Sequence, residues 1–249
     1  MSTMLASPVA AQVVVTGAVD VTNQYNFRGI RQNTAGVSIQ PYIDFGGVVY
    51  KGDGGLKSVG VNAGVWNAIN TQLDDNKWYE LDYYGTAGLS FSKASLGMTY
   101  TSYTSPADLF AHVKELAFKL GVDDSAALGK GAMKPYALLA FELDEDGQAD
   151  AGAEKGKYLE LGVGPGYSGS KASIAVPVKV GLSAGDYYEF GGEDETFGFF
   201  SIAAIVTVPI NPHANIHFGG EFQKFGDSLK AYNGQDSVGI ASVGLGFAF

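Results

Sequence analysis

DSVGIASVGLGFAF, Asp236 to Phe249, alternates along its length. Ala241, Val243, Leu245, Phe247 and Phe249 share one parity, while Ser242, Gly244, Gly246 and Ala248 share the other, so one face is apolar and the other small or polar. Successive side chains of a strand point to opposite faces, and a period of two therefore reads as a strand with one covered face. The apolar face runs to the last residue with no polar tail to solvate it, so the strand must be paired and covered. The last strand of a soluble sandwich and the closing strand of a membrane barrel both fit.

Composition narrows the choice. The chain has 249 residues with no linker-like shift in composition, which predicts one domain over residues 13–249. Gly is abundant at 35 residues, aromatic residues make up 12% and charged residues only 17%, as suits a barrel with one face in lipid. A net charge of -10 disfavours nucleic acid, whose phosphates call for clustered Lys and Arg. With Cys 0 there are no disulfides or thiolate metal sites. The longest weakly polar run, Phe197 to Ile210, is broken by Ser201 and Thr207 and falls short of the roughly 20 residues of a membrane helix. Residues 1–12 resemble the remnant of a secretory signal, with Val9, Ala10 and Ala11 before Gln12 as a small-residue cleavage site.

The same parity recurs upstream. Val13 to Phe27 places Val13, Val15, Val19, Val21, Tyr25 and Phe27 outward, against Thr16, Asp20, Gln24 and Arg28 inward. Val37 to Val49 follows, with Pro41 an awkward member of a strand interior. Beyond the turn Lys51 to Gly55 come Val59 to Trp66 and then Tyr79 to Phe91, whose two terminal aromatics fall on one face. Twelve residues rise roughly 40 Å along a strand, or about 29 Å along the membrane normal at a tilt of about 45°, close to the height of a lipid-facing band. Further strands are predicted at Leu96 to Tyr103, His112 to Gly121, Met133 to Leu143, Tyr158 to Tyr167, Lys171 to Leu182, Phe197 to Val208 and Ala214 to Phe225.

Connections sort by parity. Those after even strands are short, as at Ser92 to Lys93, Ser168 to Ser170 and Pro209 to Pro212, with Val122 to Gly131 an exception. Those after odd strands are long and acidic: Asn70 to Lys77, Asp144 to Lys157, Ser183 to Glu195 and Gly226 to Gln235. Short periplasmic turns and long external loops mark outer-membrane barrels, and a sandwich has no reason to sort its loops this way. The expected fold is thus all-β: a closed antiparallel transmembrane barrel of about twelve strands, with both termini on the periplasmic side, in the outer membrane of a Gram-negative bacterium. The terminal stretch resembles the signal by which such barrels are recognised by their assembly machinery, with Phe247 and Phe249 carrying it. VTNQYNFRGIRQN, Val21 to Asn33, together with VWNAI, Val65 to Ile69, and YELDYYGTAGLSF, Tyr79 to Phe91, resembles the proteobacterial TorF-like putative porins. That resemblance implies an outer-membrane barrel and says little about substrate.

Taking the apolar parity as outward, the lumen receives the carboxylates Asp20, Asp44, Glu80, Asp82, Glu115, Glu142, Glu160 and Glu221 and the cations Arg28, Lys119, Lys134 and Lys179, with His213 and His217 on one strand beside Glu221. Such charges either pair into a plug or line an acidic, wet passage favouring cations. The first makes a structural or partner-binding barrel, the second a channel for small solutes. Arg28 is placed at the external end of the first strand, where its fork of donors suits a carboxylate. A barrel enzyme such as a phospholipase or protease is a third class, but no nucleophile elbow or HExxH motif occurs, so no catalytic residue is assigned. Glu142 to Glu154 has the spacing of a calcium loop in part, with Ala153 where the closing carboxylate belongs. No metal or cofactor is expected. The expected partners are outer-membrane lipid, the barrel-assembly machinery and a small solute.

Overall fold

A computed structural model describes residues 12–152, 154–190 and 192–249, so the signal remnant expected over residues 1–12 lies almost wholly outside the described residues. Twelve antiparallel strands form the wall. The first six are β1 (Val14–Thr22), β2 (Ser38–Lys51), β3 (Leu56–Asn70), β4 (Trp78–Phe91), β5 (Ala94–Thr104) and β6 (Val113–Val122). They are followed by β7 (Tyr136–Glu142), β8 in two segments (Lys157–Val163 and Gly166–Ser168) and β9 in two segments (Ser173–Ala175 and Val178–Gly185). β10 (Phe197–Asn211), β11 (Ala214–Phe225) and β12 (Ser237–Ala248) complete the wall. Each strand pairs with its sequence neighbours, and β12 closes on β1 from Thr16↔Ala248 to Thr22↔Ser242. Closure removes the unpaired edges that an open sheet would expose in lipid.

The outer surface is apolar where the alternation places it. Phe45, Tyr83, Met98, Leu120, Ile202, Phe218 and Leu245 are all exposed strand residues. On such a closed wall they face lipid, and the barrel spans the outer membrane of a Gram-negative bacterium. The sorting of loops by parity also holds, except that the turn after β6 carries a short helix, Ser125–Leu128, and a 3-10 turn, Gly129–Gly131.

Several sequence expectations fail locally. The first strand stops at Thr22 and does not run on to Phe27; Asn26–Phe27 and Ile30–Arg31 instead pair as a small hairpin. The pairing of β3 with β4 shifts between Ala68 and Ile69, so that Tyr79 is the extra residue of a bulge. The shift reverses parity: exposed Trp78, not Tyr79, shares the outer face with Phe91, while Tyr79 packs against Tyr25 and Phe110. Lys134 lies before β7 in a left-handed conformation (φ 49°), exposed, and gives its backbone N–H to Asp124 at 3.0 Å; it is not a lumen residue. His213 is exposed in the β10–β11 turn and stacks on Phe249 at 5.3 Å, so it too lies outside the lumen. Pro41 is accommodated because the paired positions of β2 and β3 skip from Ile39 to Tyr42, and Pro41 is tied to β3 through Asn67, whose side chain donates to its carbonyl. Pro165 and Pro177 break β8 and β9 at one height, where Val176 N–H donates to Pro165 O at 2.8 Å.

Phe249 N–H donates to Val15 O at 2.8 Å and Val15 N–H to Phe249 O at 2.9 Å, so the last residue belongs to the seam. Replacing Phe247 and Phe249 by Ser should lower the yield of heat-modifiable barrel in membranes, whereas serine at Asp53 in the exposed β2–β3 turn should not. Equal yields would show that the aromatic seam does not guide assembly.

Candidate functional site

The lumen is closed at its outer end by chain folded into it. The hairpin turns through Arg28 (φ 49°) and Gly29 (φ 83°), the pair of positive φ values that a two-residue hairpin requires. A Cβ on Gly29 would meet Leu229 Cδ1 at 2.8 Å and Phe199 Cδ1 at 3.0 Å, so an Arg-Gly tip answers both conformation and space. Arg28 donates to both oxygens of Glu115, at 2.5 and 2.7 Å, and to Tyr187 Oη at 2.9 Å. Its guanidinium lies 4.2 Å from the centre of the Tyr158 ring, and Tyr188 Oη donates to the Arg28 carbonyl at 2.9 Å. A charge this deeply buried is tolerated because a bidentate partner and aromatic faces replace its water.

Two other loops hold the hairpin. The β11–β12 loop, read from the sequence as long and acidic, contains a helix, Asp227–Asn233. Its first N–H groups are met by Glu195, and Gly234 ends it in a left-handed conformation. From this helix Asn233 donates to Gly29 O at 2.8 Å and accepts from Arg31 N–H at 3.0 Å. Leu229, Ile30, Tyr187, Tyr188, Tyr158, Phe199 and Phe225 form one buried apolar cluster around it. Each such apolar side chain contributes about 1.5–3 kcal/mol when fully buried.

Glu115 and Glu142 stand directly opposite each other on β6 and β7, a pairing of like charges that would repel. Arg28 answers the first. The second accepts backbone N–H groups from Ala149 at 2.7 Å and Gly156 at 2.8 Å, so Glu142 ties down the acidic loop. Within that loop Asp150 accepts from Gly152 and Glu189 N–H; burial pushes its carboxyl up, and these donors oppose the rise. Ala153, which fills the closing position of the calcium spacing, lies outside the described residues.

Below the plug the inward polar groups pair more loosely. Asp20 and His217, on strands either side of β12, meet at 2.5 Å across Gly244, where a Cβ would lie 2.1 Å from Asp20 Oδ1. Asn62 donates to Asp44 at 2.5 Å. Glu160 accepts from Tyr136 and Tyr158 and lies 3.6 Å from Lys179, while Lys119 sits over the Tyr136 ring at 4.2 Å. Glu221 accepts from Ser201 and Gln223. Glu80 and Asp82 are 5% and 6% exposed, and among the described residues neither has a cationic partner. Tyr187, Tyr188 and Asn233, which build the plug, were not singled out in the sequence, because loop aromatics and amides carry no periodic signal.

On the exterior, His112 Nε2 and Ser102 Oγ share a hydrogen bond of 2.7 Å. Among the described residues no side chain bonds its Nδ1, so the pair lacks the orienting group of a triad.

No protein family matches the sequence, and no curated protein matches it. Solved structures do match. An outer-membrane channel from Pseudomonas putida F1 superposes with a TM-score of 0.57 at 10% identity, over 98% of this chain and 97% of that one. The NanC porin gives 0.54 at 11% identity, over 93% and 98% of the two chains. Outer-membrane phospholipase A from Escherichia coli gives 0.52 at 12% identity, over 93% and 92%. At such low identity these likenesses establish a shared architecture, and the chain has the fold of the outer-membrane porins and channels.

Proposed function

We propose that this protein is an outer-membrane channel for small solutes, with an acidic lumen that favours cations and an outer end closed, in the state seen here, by the Arg28 hairpin. One observation carries the reading: the lumen-facing side chains of Asp20, His217 and Lys179 keep 28%, 19% and 33% of their surface accessible, so solvent reaches the barrel interior below the plug. Carboxylates outnumber cations there once Lys134 is placed outside. Fixed negative charge along a narrow wet passage concentrates cations and repels anions, and the effect weakens with salt. Lipid around the wall and the assembly machinery at the Phe247 and Phe249 seam are the partners this role implies. The Arg-Gly tip supports kinship with the TorF-like putative porins, since the motif shared with them forms the hairpin.

The plug supports a second reading, a permanently closed barrel. Purified protein in a planar bilayer under asymmetric KCl should give currents whose reversal potential favours K+. Arg28→Ala should raise conductance and lower thermal stability, because leaving Glu115 buried without its partner costs about 3–5 kcal/mol. A silent bilayer for both the parent and this variant establishes the closed barrel.

Asp44→Asn with Glu221→Gln should reduce cation preference without lowering the melting temperature, since both are half-buried, accept hydrogen bonds from neutral side chains and strand no cation when their charge is removed. Unchanged selectivity would refute the acidic-lumen reading.

We propose further that the chain is not an enzyme, on the ground that the Ser102 and His112 pair lacks an orienter. A fluorophosphonate probe should leave Ser102 unlabelled, and labelling lost in Ser102→Ala would establish a hydrolase.

A further inference from the structure

Glu115 on β6, Tyr103 on β5 and Tyr158 on β8 stand on the wall, and Tyr187 follows β9. Together they form a cage around one guanidinium. Arg28 donates through Nη1 and Nη2 to the two Glu115 oxygens and through Nη1 to Tyr187 Oη, and its Cζ lies 4.2 and 5.4 Å from the centres of the Tyr158 and Tyr187 rings. Tyr103 Oη donates to Glu115 Oε1 at 3.3 Å, and Tyr158 Oη donates to Glu160 at 2.7 Å. These groups belong to the wall and to the segment after β9, so the cage is held without the hairpin, which brings only the cation and the Phe27 ring beside it. Both carboxylate oxygens and both arms of the fork are used, and rings lie against the planar face. An ammonium matches that cage in charge but not in shape, and a urea in shape but not in charge.

The hairpin itself has two residue pairs, Asn26↔Arg31 and Phe27↔Ile30, and a ribbon that short does not hold itself. Its place depends on Arg28 in the cage, Ile30 in the apolar cluster and the two bonds to Asn233. Phe27 and Tyr103, whose ring centres lie 5.2 Å apart, also line a cavity of about 350 Å3 among the external loops, and no Lys or Arg is among its lining residues. The cavity thus adjoins the cage, and the Arg28 side chain keeps 11% of its surface exposed. We propose that the cage is a binding site for a solute carrying a monosubstituted guanidinium, with Arg28 as its built-in competitor: the solute, entering by the external cavity, replaces the Arg28 guanidinium on Glu115 and releases the hairpin. Opening of the plug deepens the channel reading and rests on it, whereas binding is read without current.

Calorimetry on the full chain in detergent at neutral pH, with propylguanidinium chloride as the probe, tests the site. Arg28→Ala should bind it saturably, with propylammonium and the neutral propylurea each at least about tenfold weaker, the factor that one charge-assisted contact carries. Adding Glu115→Gln should abolish the binding. The parent should bind more weakly than Arg28→Ala, because Arg28 competes at the effective concentration of a tethered group. Saturation of the parent should cost the Arg31 N–H, bonded to Asn233 at 3.0 Å, its protection from hydrogen exchange. Should Arg28→Ala not show heat-modifiable mobility, Arg28→Lys, which keeps a cation on Glu115 but lacks the fork, should bind propylguanidinium more tightly than the parent. No binding to either variant, or equal affinity for propylammonium, would overturn the proposal. So would unchanged Arg31 protection in the parent at propylguanidinium about a hundredfold above the variant's Kd, which would leave the cage a structural contact only. A silent bilayer with binding and loss of protection intact would support the site and defeat only the channel reading.

Discussion

A closed barrel in lipid satisfies its backbone groups through its own ladder, and that requirement leaves its ionised side chains only one place to go, the interior. Everything distinctive in this protein follows from how that interior charge is met. At the outer end it is met by folded chain: Arg28 enters from a hairpin, grips Glu115 with both arms and is walled by tyrosines. Lower down it is met by neighbouring side chains and solvent, as in the Asp20 and His217 contact across Gly244.

The two regimes divide the labour of the molecule. The outer plug is an apolar cluster with a single buried ion pair at its heart, and its pieces come from three loops: the hairpin, the segment holding Tyr187 and Tyr188, and the helix Asp227–Asn233. Loops remote in sequence become one packed unit because each supplies what another lacks. Asn233 serves the orphaned backbone of the hairpin, and Glu195 serves the orphaned backbone of the helix. Among the described residues the lower lumen has no comparable apolar centre, and its charges stay partly exposed.

The same balance accounts for the acidic loop between β7 and β8. Its spacing suggested calcium, yet Glu142 and Asp150 spend their oxygens on backbone donors that close the loop. Gln148 is the member of that loop whose side-chain acceptor, buried, has no partner among the described residues.

The sequence by itself determined the architecture: alternation over twelve segments, loops sorted by parity and an apolar face running to Phe249 suffice for a closed barrel, because lipid on one side imposes a period of two on each strand. It also marked most of the inward charges, Glu80, Glu115 and Glu160 among them. Only the tertiary structure decided which charge meets which. Asp20 and His217 are far apart in the chain and share a site because β12 closes between their strands, which no local pattern records. The bulge at Tyr79 reversed parity through one extra residue, and the left-handed turn at Arg28 carried the chain inward where alternation alone had continued the strand. Periodicity reports the face a strand residue takes, whereas plugs, bulges and turns are settled by the packing energy of loops that have no period to read.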